Sequence, residues 1–274
     1  MSTWSPAVGM LGTIVREAQI RAARLGADPA AVRALERAAA GAPTVPSFAD
    51  ALRAGGTVAL IAEVKRRSPS KGSINGALAA DEQARAYERG GAAAISVLTE
   101  PVHFDGDLDD LRRASDGTTL PLLRKDFHVA EAQLLEARVA GASAALLIAR
   151  ALEPARLARL TAFALDLGLD VLLEVRDEAE LERALATDAR VIGVNSRDLE
   201  TLAIDPAVGD RLLPAVPGER VAVWESGIRT PADVRRAAAA TADAVLVGSH
   251  VSASADPAAA VRELTGVARS SRGR

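Results

Sequence analysis

Lysine is scarce in this chain, and where it occurs suggests chemistry. Of 33 basic residues only Lys65, Lys71 and Lys125 are lysines; the rest are arginines. Arginine stays charged in any protein environment, whereas lysine carries a compact charge whose pKa burial can move. Two of the three lysines fall in "ALIAEVKRRSPSKGSI", residues 59–74, where Glu63 stands two positions before Lys65. Residues two apart on a strand point to the same side. Further ionisable or amide groups close other apolar runs: Lys125 ends "LPLLRK", Glu174 falls in "DVLLEV", Asn195 ends "RVIGVN" with Arg197 soon after, and Glu225 falls in "RVAVWES". Ammonium groups that donate protons beside carboxylates that accept them are the raw material of general acid–base catalysis. The competing reading is a structural ring of ion pairs. So many ionisable groups in one enclosed place cost stability unless each is paired, and a purely structural device would not need them from four separate segments.

The strings "ESGI", with Ser226 and Gly227, and "VGSH", with Gly248 and Ser249, follow the last two apolar runs. Free backbone amides after adjacent strands suit a phosphate, and glycine lets it approach closely; ordinary turn glycines are the alternative. Ser68 has no triad context and suits hydrogen bonding to an anion beside Lys65. Phe104 and Phe127, two of only four phenylalanines, each follow an apolar run and could line a flat ring or pack at a rim. His103, His128 and His250 are scattered without ligand spacing, so no metal site is expected, and a surface or supporting role is expected of His128. The absence of cysteine excludes disulfides, thiolate metal sites and a cysteine nucleophile.

The elements that must position these groups are legible in the pattern. Apolar runs at 57–64, 93–98, 120–125, 144–149, 170–175, 190–195, 220–226 and 243–249 are continuous rather than alternating. Strands covered on both faces look like this. Alanine- and leucine-rich helical stretches lie between them, several opened by caps at Asp177, Thr230-Pro231 and Asp256-Pro257. Eight strands alternating with helices predict a (β/α)8 TIM barrel, in which the ends of the strands form the active-site mouth. An open doubly wound sheet would show a glycine fingerprint after its first strand, and "VKRRSPSKG" is not one. The barrel is expected over 57–270. Residues 1–56 break the rhythm and predict an N-terminal helical extension packed on the barrel within a single domain. Its helices stop at Gly26 and Gly41, and Ser47 and Asp50 form a capping-box pattern. The tail "SSRGR" is expected to fray.

A chain of 274 residues suits one large barrel or two ordinary domains. Only 3% of residues are aromatic, so core volume must come from aliphatic side chains. A net charge of −3 argues against a nucleic-acid partner. The N-terminal string lacks a signal-peptide pattern, and no apolar run reaches the about 18 residues of a membrane helix. A cytoplasmic protein with no membrane partner is expected.

Taken together, "IAEVKRRSPSKGSI", "ISVLTE", "LLRKDF", "LLEV", "IGVNSRDL", "ESGI" and "VLVGS" resemble, in order and spacing, the indole-3-glycerol-phosphate synthase family of tryptophan biosynthesis. The resemblance spans residues 57–265, and its first string and "IGVNSRDL" are the most specific. It implies a carboxy-lyase acting on a small phosphorylated substrate, 1-(2-carboxyphenylamino)-1-deoxyribulose 5-phosphate, without metal or organic cofactor. By resemblance Lys125 is the general acid, held by Glu63, and Glu174 is the base. Lys65 binds the substrate carboxylate with help from Ser68, the division of acid roles between the two lysines being left open. Asn195, Arg197 and Glu225 hold sugar hydroxyls and orient charges, and Phe104 and Phe127 surround the aryl ring. Ser226, Gly227, Gly248 and Ser249 bind phosphate. The loop carrying Lys71 is expected to close over substrate. A monomer or weak homodimer, with or without association with other tryptophan-pathway enzymes, is the expected assembly.

Three positions depart from the family pattern: Trp224 where a small residue is usual, Asp107 where a small hydroxyl residue is common, and His128 in place of an aliphatic one. They leave room for altered kinetics or a paralogue of specialised indole synthesis. Two rivals stand beside this reading. One is another phosphate-binding barrel enzyme, a phosphosugar isomerase or Schiff-base aldolase; the other is a non-catalytic barrel that binds a phosphate ester.

Overall fold

The computed structural model describes residues 4–270. Ten strands form in chain order: β1 (Ala59–Val64), β2 (Arg67–Ser68), β3 (Gly72–Ser73), β4 (Ala94–Leu98), β5 (Leu122–Lys125), β6 (Ala144–Ile148), β7 (Asp170–Val175), β8 (Val191–Asn195), β9 (Val221–Glu225) and β10 (Ala244–Val247). Eight of them close a parallel barrel in the order β1-β10-β9-β8-β7-β6-β5-β4. Each lies within a run expected from the sequence. Closure follows from the burial of both faces: β1, β7, β8 and β9 are buried at every position, so each strand needs side chains in the bore and helices outside. The structure is therefore a (β/α)8 TIM barrel.

The helices between strands start where the caps predict. Asp177 accepts from the Glu180 amide at 2.8 Å, Thr230 and Asp233 form a reciprocal capping box, and Asp256 accepts from the Ala259 amide at 3.0 Å. Asp107, one of the departures, caps the Leu108–Gly117 helix by accepting from Asp109 N at 2.7 Å.

The N-terminal helices occupy both ends of the barrel. Helix Gly9–Gly26 reaches the strand C-termini, where the amides of Met10 and Leu11 donate to the carbonyls of Glu200 and Leu199. Helix Pro29–Ala40 packs on Glu131–Val139. The short helix Phe48–Arg53 plugs the opposite end, with Phe48 and Leu52 buried and the Ala49 amide donating to Asp170 at the start of β7. Only half of the expected capping box forms there. Ser47 accepts from Asp50 N at 3.2 Å, but the Asp50 carboxylate pairs with Arg190 instead of turning back.

One feature differs from the sequence reading. The segment after β1 is an antiparallel ribbon, β2 on β3, with Lys71 in its turn. Most of the string "SSRGR", residues 271–274, lies outside the described residues. Among the described residues no helix is long and apolar enough to cross a membrane.

Candidate active site

The strand C-termini surround a cavity of about 350 Å³. Every site residue named from the sequence lines it: Glu63, Lys65, Lys125, Glu174, Asn195 and Glu225 in its floor and walls, with Ser68, Phe104, Phe127, Arg197, Ser226, Gly227, Gly248 and Ser249 around them.

The floor is a charge lattice built from strands around the barrel. Glu63, Glu174 and Glu225 are buried inward-facing residues at the ends of β1, β7 and β9. Lys125, the last residue of β5, donates from Nζ to Glu225 Oε2 at 3.1 Å and lies 3.5 Å from Glu174 Oε2. Burial alone would lower this lysine's pKa, but the carboxylates of Glu225, Glu174 and Glu63 outweigh it and hold the pKa above the ordinary lysine value. Burial also pushes Glu225 up to about 7 against the pull of Lys125, with Glu174 and Glu63 adding to the rise.

One expected pairing is corrected. Glu63 does not hold Lys125 directly; its Oε1 binds Lys65 Nζ at 2.6 Å. Lys65 follows Glu63 by two positions on the same side, so it claims the carboxylate first, and Lys125 turns to β7 and β9. The end of β1 is steadied by two hydroxyls that donate to the Glu63 carbonyl, Ser252 at 2.6 Å and the sole tyrosine, Tyr87, at 3.0 Å. Glycine leaves the room that both carboxylates occupy. A Cβ at Gly248 would overlap the Glu63 carboxylate and lie 2.6 Å from Lys65 Nζ; one at Gly193 would overlap Glu225.

Asn195 Oδ1 accepts from the Arg197 amide at 2.9 Å, and Arg197 donates to the Leu202 carbonyl at 2.8 Å, which fixes the loop after β8. After β9, Ser226 and Gly227 both take positive φ, 67° and 89°. Trp224 serves this turn rather than crowding the mouth. It points outward onto Gly209, lies 5.8 Å below the Arg236 guanidinium, and donates through Nε1 to the Ser226 carbonyl at 3.2 Å. Phe104 and Phe127 face one end of the cavity, ring centres 6.3 Å apart. His128 is buried, not at the surface, and it is not part of the cavity lining. One ring nitrogen meets the Leu146 carbonyl at 2.8 Å, and burial, then the charge of Arg124, lowers its pKa to about 4.

Several lining residues escaped the sequence reading. Met10, Leu11 and Ile14 come from the first helix, whose apolar face carried the only signal. Arg229, immediately after "ESGI", joins Lys71 and Arg197 at the rim. Burial first, then Arg229, Lys65 and Arg197, lowers the Lys71 pKa; burial and Arg229 lower that of Arg197. Mutual repulsion of this kind is relieved by a bound anion.

The family model described as Indole-3-glycerol phosphate synthase matches residues 11–264. Indole-3-glycerol phosphate synthase of Opitutus terrae is 51% identical over 230 residues, covering 81% of this chain and 85% of that protein. Indole-3-glycerol phosphate synthase 2 of Streptomyces coelicolor is 47% identical over 258 residues, covering 94% and 99%. Among solved structures, thiamine phosphate pyrophosphorylase from Pyrococcus furiosus aligns with a TM-score of 0.57 at 17% identity, over 76% of this chain and 93% of that one, a likeness of fold alone. The chain belongs to the indole-3-glycerol phosphate synthase family, tryptophan-biosynthesis enzymes that catalyse decarboxylative ring closure, a carboxy-lyase reaction.

Proposed function

We propose that the cavity carries out this ring closure on 1-(2-carboxyphenylamino)-1-deoxyribulose 5-phosphate, with its lysines and glutamates as acids and bases. The electron-rich ring carbon that bears the carboxylate attacks the ribulose ketone, and Lys125 delivers a proton to the ketone oxygen. Carbon dioxide then leaves, its bonding electrons passing to the iminium formed by the condensation. In the dehydration, Glu174 removes a proton, a lysine ammonium of the same cavity protonates the departing hydroxyl, and water is released with indole-3-glycerol phosphate.

Around these steps Lys65 grips the substrate carboxylate with Ser68, and Glu63 keeps Lys65 charged and aimed. Asn195, Arg197 and Glu225 hold sugar hydroxyls and orient the ammonium groups. Phe104 and Phe127 enclose the aryl ring. The phosphate rests on Ser226, Gly227, Gly248 and Ser249, with Lys71 and Arg229 supplying charge from the rim.

The observation that carries this reading is Lys125 Nζ between Glu225 and Glu174, at 3.1 and 3.5 Å. A lysine kept protonated in this way suits an acid and makes a poor imine-forming nucleophile. Residues 1–56 are taken as an extension of the barrel within one domain, since their first helix helps to line the cavity. A functional monomer or weak homodimer, a cytoplasmic location and association with other tryptophan-pathway enzymes belong to the same proposal.

The test is continuous fluorescence detection of the indole product from this substrate, with a metal chelator present. Product formation is expected. Its absence from folded protein, or trapping of a substrate–lysine adduct by borohydride, would contradict the proposal.

A further inference from the structure

Two buried carboxylates outside the catalytic floor organise the aryl end of the cavity. Glu100, at the end of the β4 segment, accepts main-chain hydrogen bonds from Val102 at 3.1 Å, His103 at 2.6 Å and Phe104 at 3.2 Å. It is fully buried. Asp126, directly after β5, accepts from the Phe127 amide at 2.8 Å through Oδ1. Its Oδ2 is occupied by Thr99 at 2.9 Å and Arg124 at 3.1 Å. Each turn that presents an aromatic ring is thus wound around one carboxylate.

A single guanidinium joins the two. Arg21, on helix Gly9–Gly26, donates from one nitrogen to Glu100 Oε1 at 3.2 Å and from the other to Asp126 Oδ1 at 3.3 Å. One helical turn earlier, Glu17 meets the His103 ring at 2.7 Å and ties the same turn to the same helix. A planar guanidinium fixes the separation of two carboxylates as a point charge cannot. Here the two carboxylates also hold the amides of Phe104 and Phe127, so fixing the carboxylates constrains both turns.

We infer that Arg21 is a positioning residue that sets the gap between Phe104 and Phe127, and so adapts the cavity to a planar aryl group. The inference rests on the reading above that the aryl end of the substrate lies against these two rings. Arg21 does not line the cavity and acts only through Glu100 and Asp126. Loss of the bridge leaves Asp126 with Arg124, whereas Glu100 keeps only main-chain donors among the described residues. The Phe104 turn is therefore the one that shifts.

The experiment compares binding of 2-aminobenzoate, as a probe of the aryl end, with binding of inorganic phosphate, as a probe of the opposite end, in wild type and Arg21→Ala. The expected result is about a tenfold loss of 2-aminobenzoate affinity, unchanged phosphate affinity, a raised KM for the full substrate, and recovery on adding free guanidinium far below unfolding concentrations. A merely structural role would lower the active fraction and weaken both probes together; that result, or no change in either, overturns the inference. Should Arg21→Ala fail to fold, Arg21→Lys, which can reach one carboxylate but not bridge two, makes the same comparison. Wild-type protein that binds 2-aminobenzoate without turning over substrate overturns the proposed reaction while the binding comparison still decides the role of Arg21. Wild-type protein that binds none overturns both.

Discussion

Lys125 donates to Glu225 across the full width of the barrel, at 3.1 Å, from strands that face each other in the ring. Glu174 and Glu63 stand on the strands two places to either side of β5. One ammonium therefore sits among carboxylates from three directions. Burial raises the cost of each charge, and each carboxylate helps to offset that cost for the lysine. The result is an acid that stays protonated and a carboxyl group, Glu225, with its pKa moved up to about 7.

This arrangement fixes the expected pH dependence. Lys125 is held above its ordinary value, so no alkaline limb should appear near the usual lysine pKa of about 10.4. Glu225 is protonated below about 7 and then no longer steadies the ammonium, so kcat/KM is expected to fall as pH drops through that value. Glu225→Gln should lower kcat and flatten this acidic limb. An unaltered limb in the variant's pH–rate profile would assign it to another group.

Gly248→Ala should damage activity far more than folding. Its Cβ would overlap the Glu63 carboxylate and crowd Lys65 Nζ, forcing the ion pair to shift. Displacement by about an ångström can cost on the order of 100-fold in rate, while overpacking costs about 1–3 kcal/mol. Steady-state kinetics beside a denaturation curve would separate the two effects.

Glu180, buried at 4% exposure, makes stability depend on pH. Burial, then the charge of Asp177, raises its pKa from 4.5 to about 7, despite the hydrogen bond from the Arg176 amide. Between those values the folded chain retains a proton that the unfolded chain has released, so this group's stabilisation is full at low pH and is lost as pH rises toward 7. Glu180→Gln keeps an acceptor for the Arg176 amide and removes the ionisation. Urea denaturation near pH 8 should find the variant more stable by roughly 1–3 kcal/mol, with the difference vanishing at about pH 4, below the unfolded value. Equal stabilities at both would contradict the shift.

Trp224→Phe should keep the barrel and loosen the turn after β9. The lost donor to the Ser226 carbonyl is worth about 0.5–1.5 kcal/mol. Ser226 holds a left-handed conformation at the end proposed to bind phosphate, so inorganic phosphate should inhibit the variant less than wild type. Inhibition constants measured beside melting curves check both effects.

The barrel was legible because its signals are local. Continuous runs such as "DVLLEV" need cover on both faces, and Asp177, Thr230 and Asp256 mark helix starts within their own turns. The mouth residues were legible because the fold assigns strand ends to the site. What escaped depends on neighbours distant in sequence. Asp50 gives its carboxylate to Arg190, 140 positions away, instead of closing the capping box. Glu63 takes Lys65, just past the end of β1, and that Lys125 turns elsewhere shows only once the opposite strands are in place. Arg21 reaches Glu100 and Asp126 over 79 and 105 positions, and nothing in its own segment marks it out from other arginines.

The most direct test is the turnover of Lys125→Ala, followed by indole fluorescence with the fold checked by thermal denaturation. The expected result is a cooperative, near-native melting transition with kcat reduced about 10²- to 10⁴-fold, the usual worth of one positioned acid. Turnover near the wild-type rate from the folded variant would contradict the assignment of Lys125 as the proton donor.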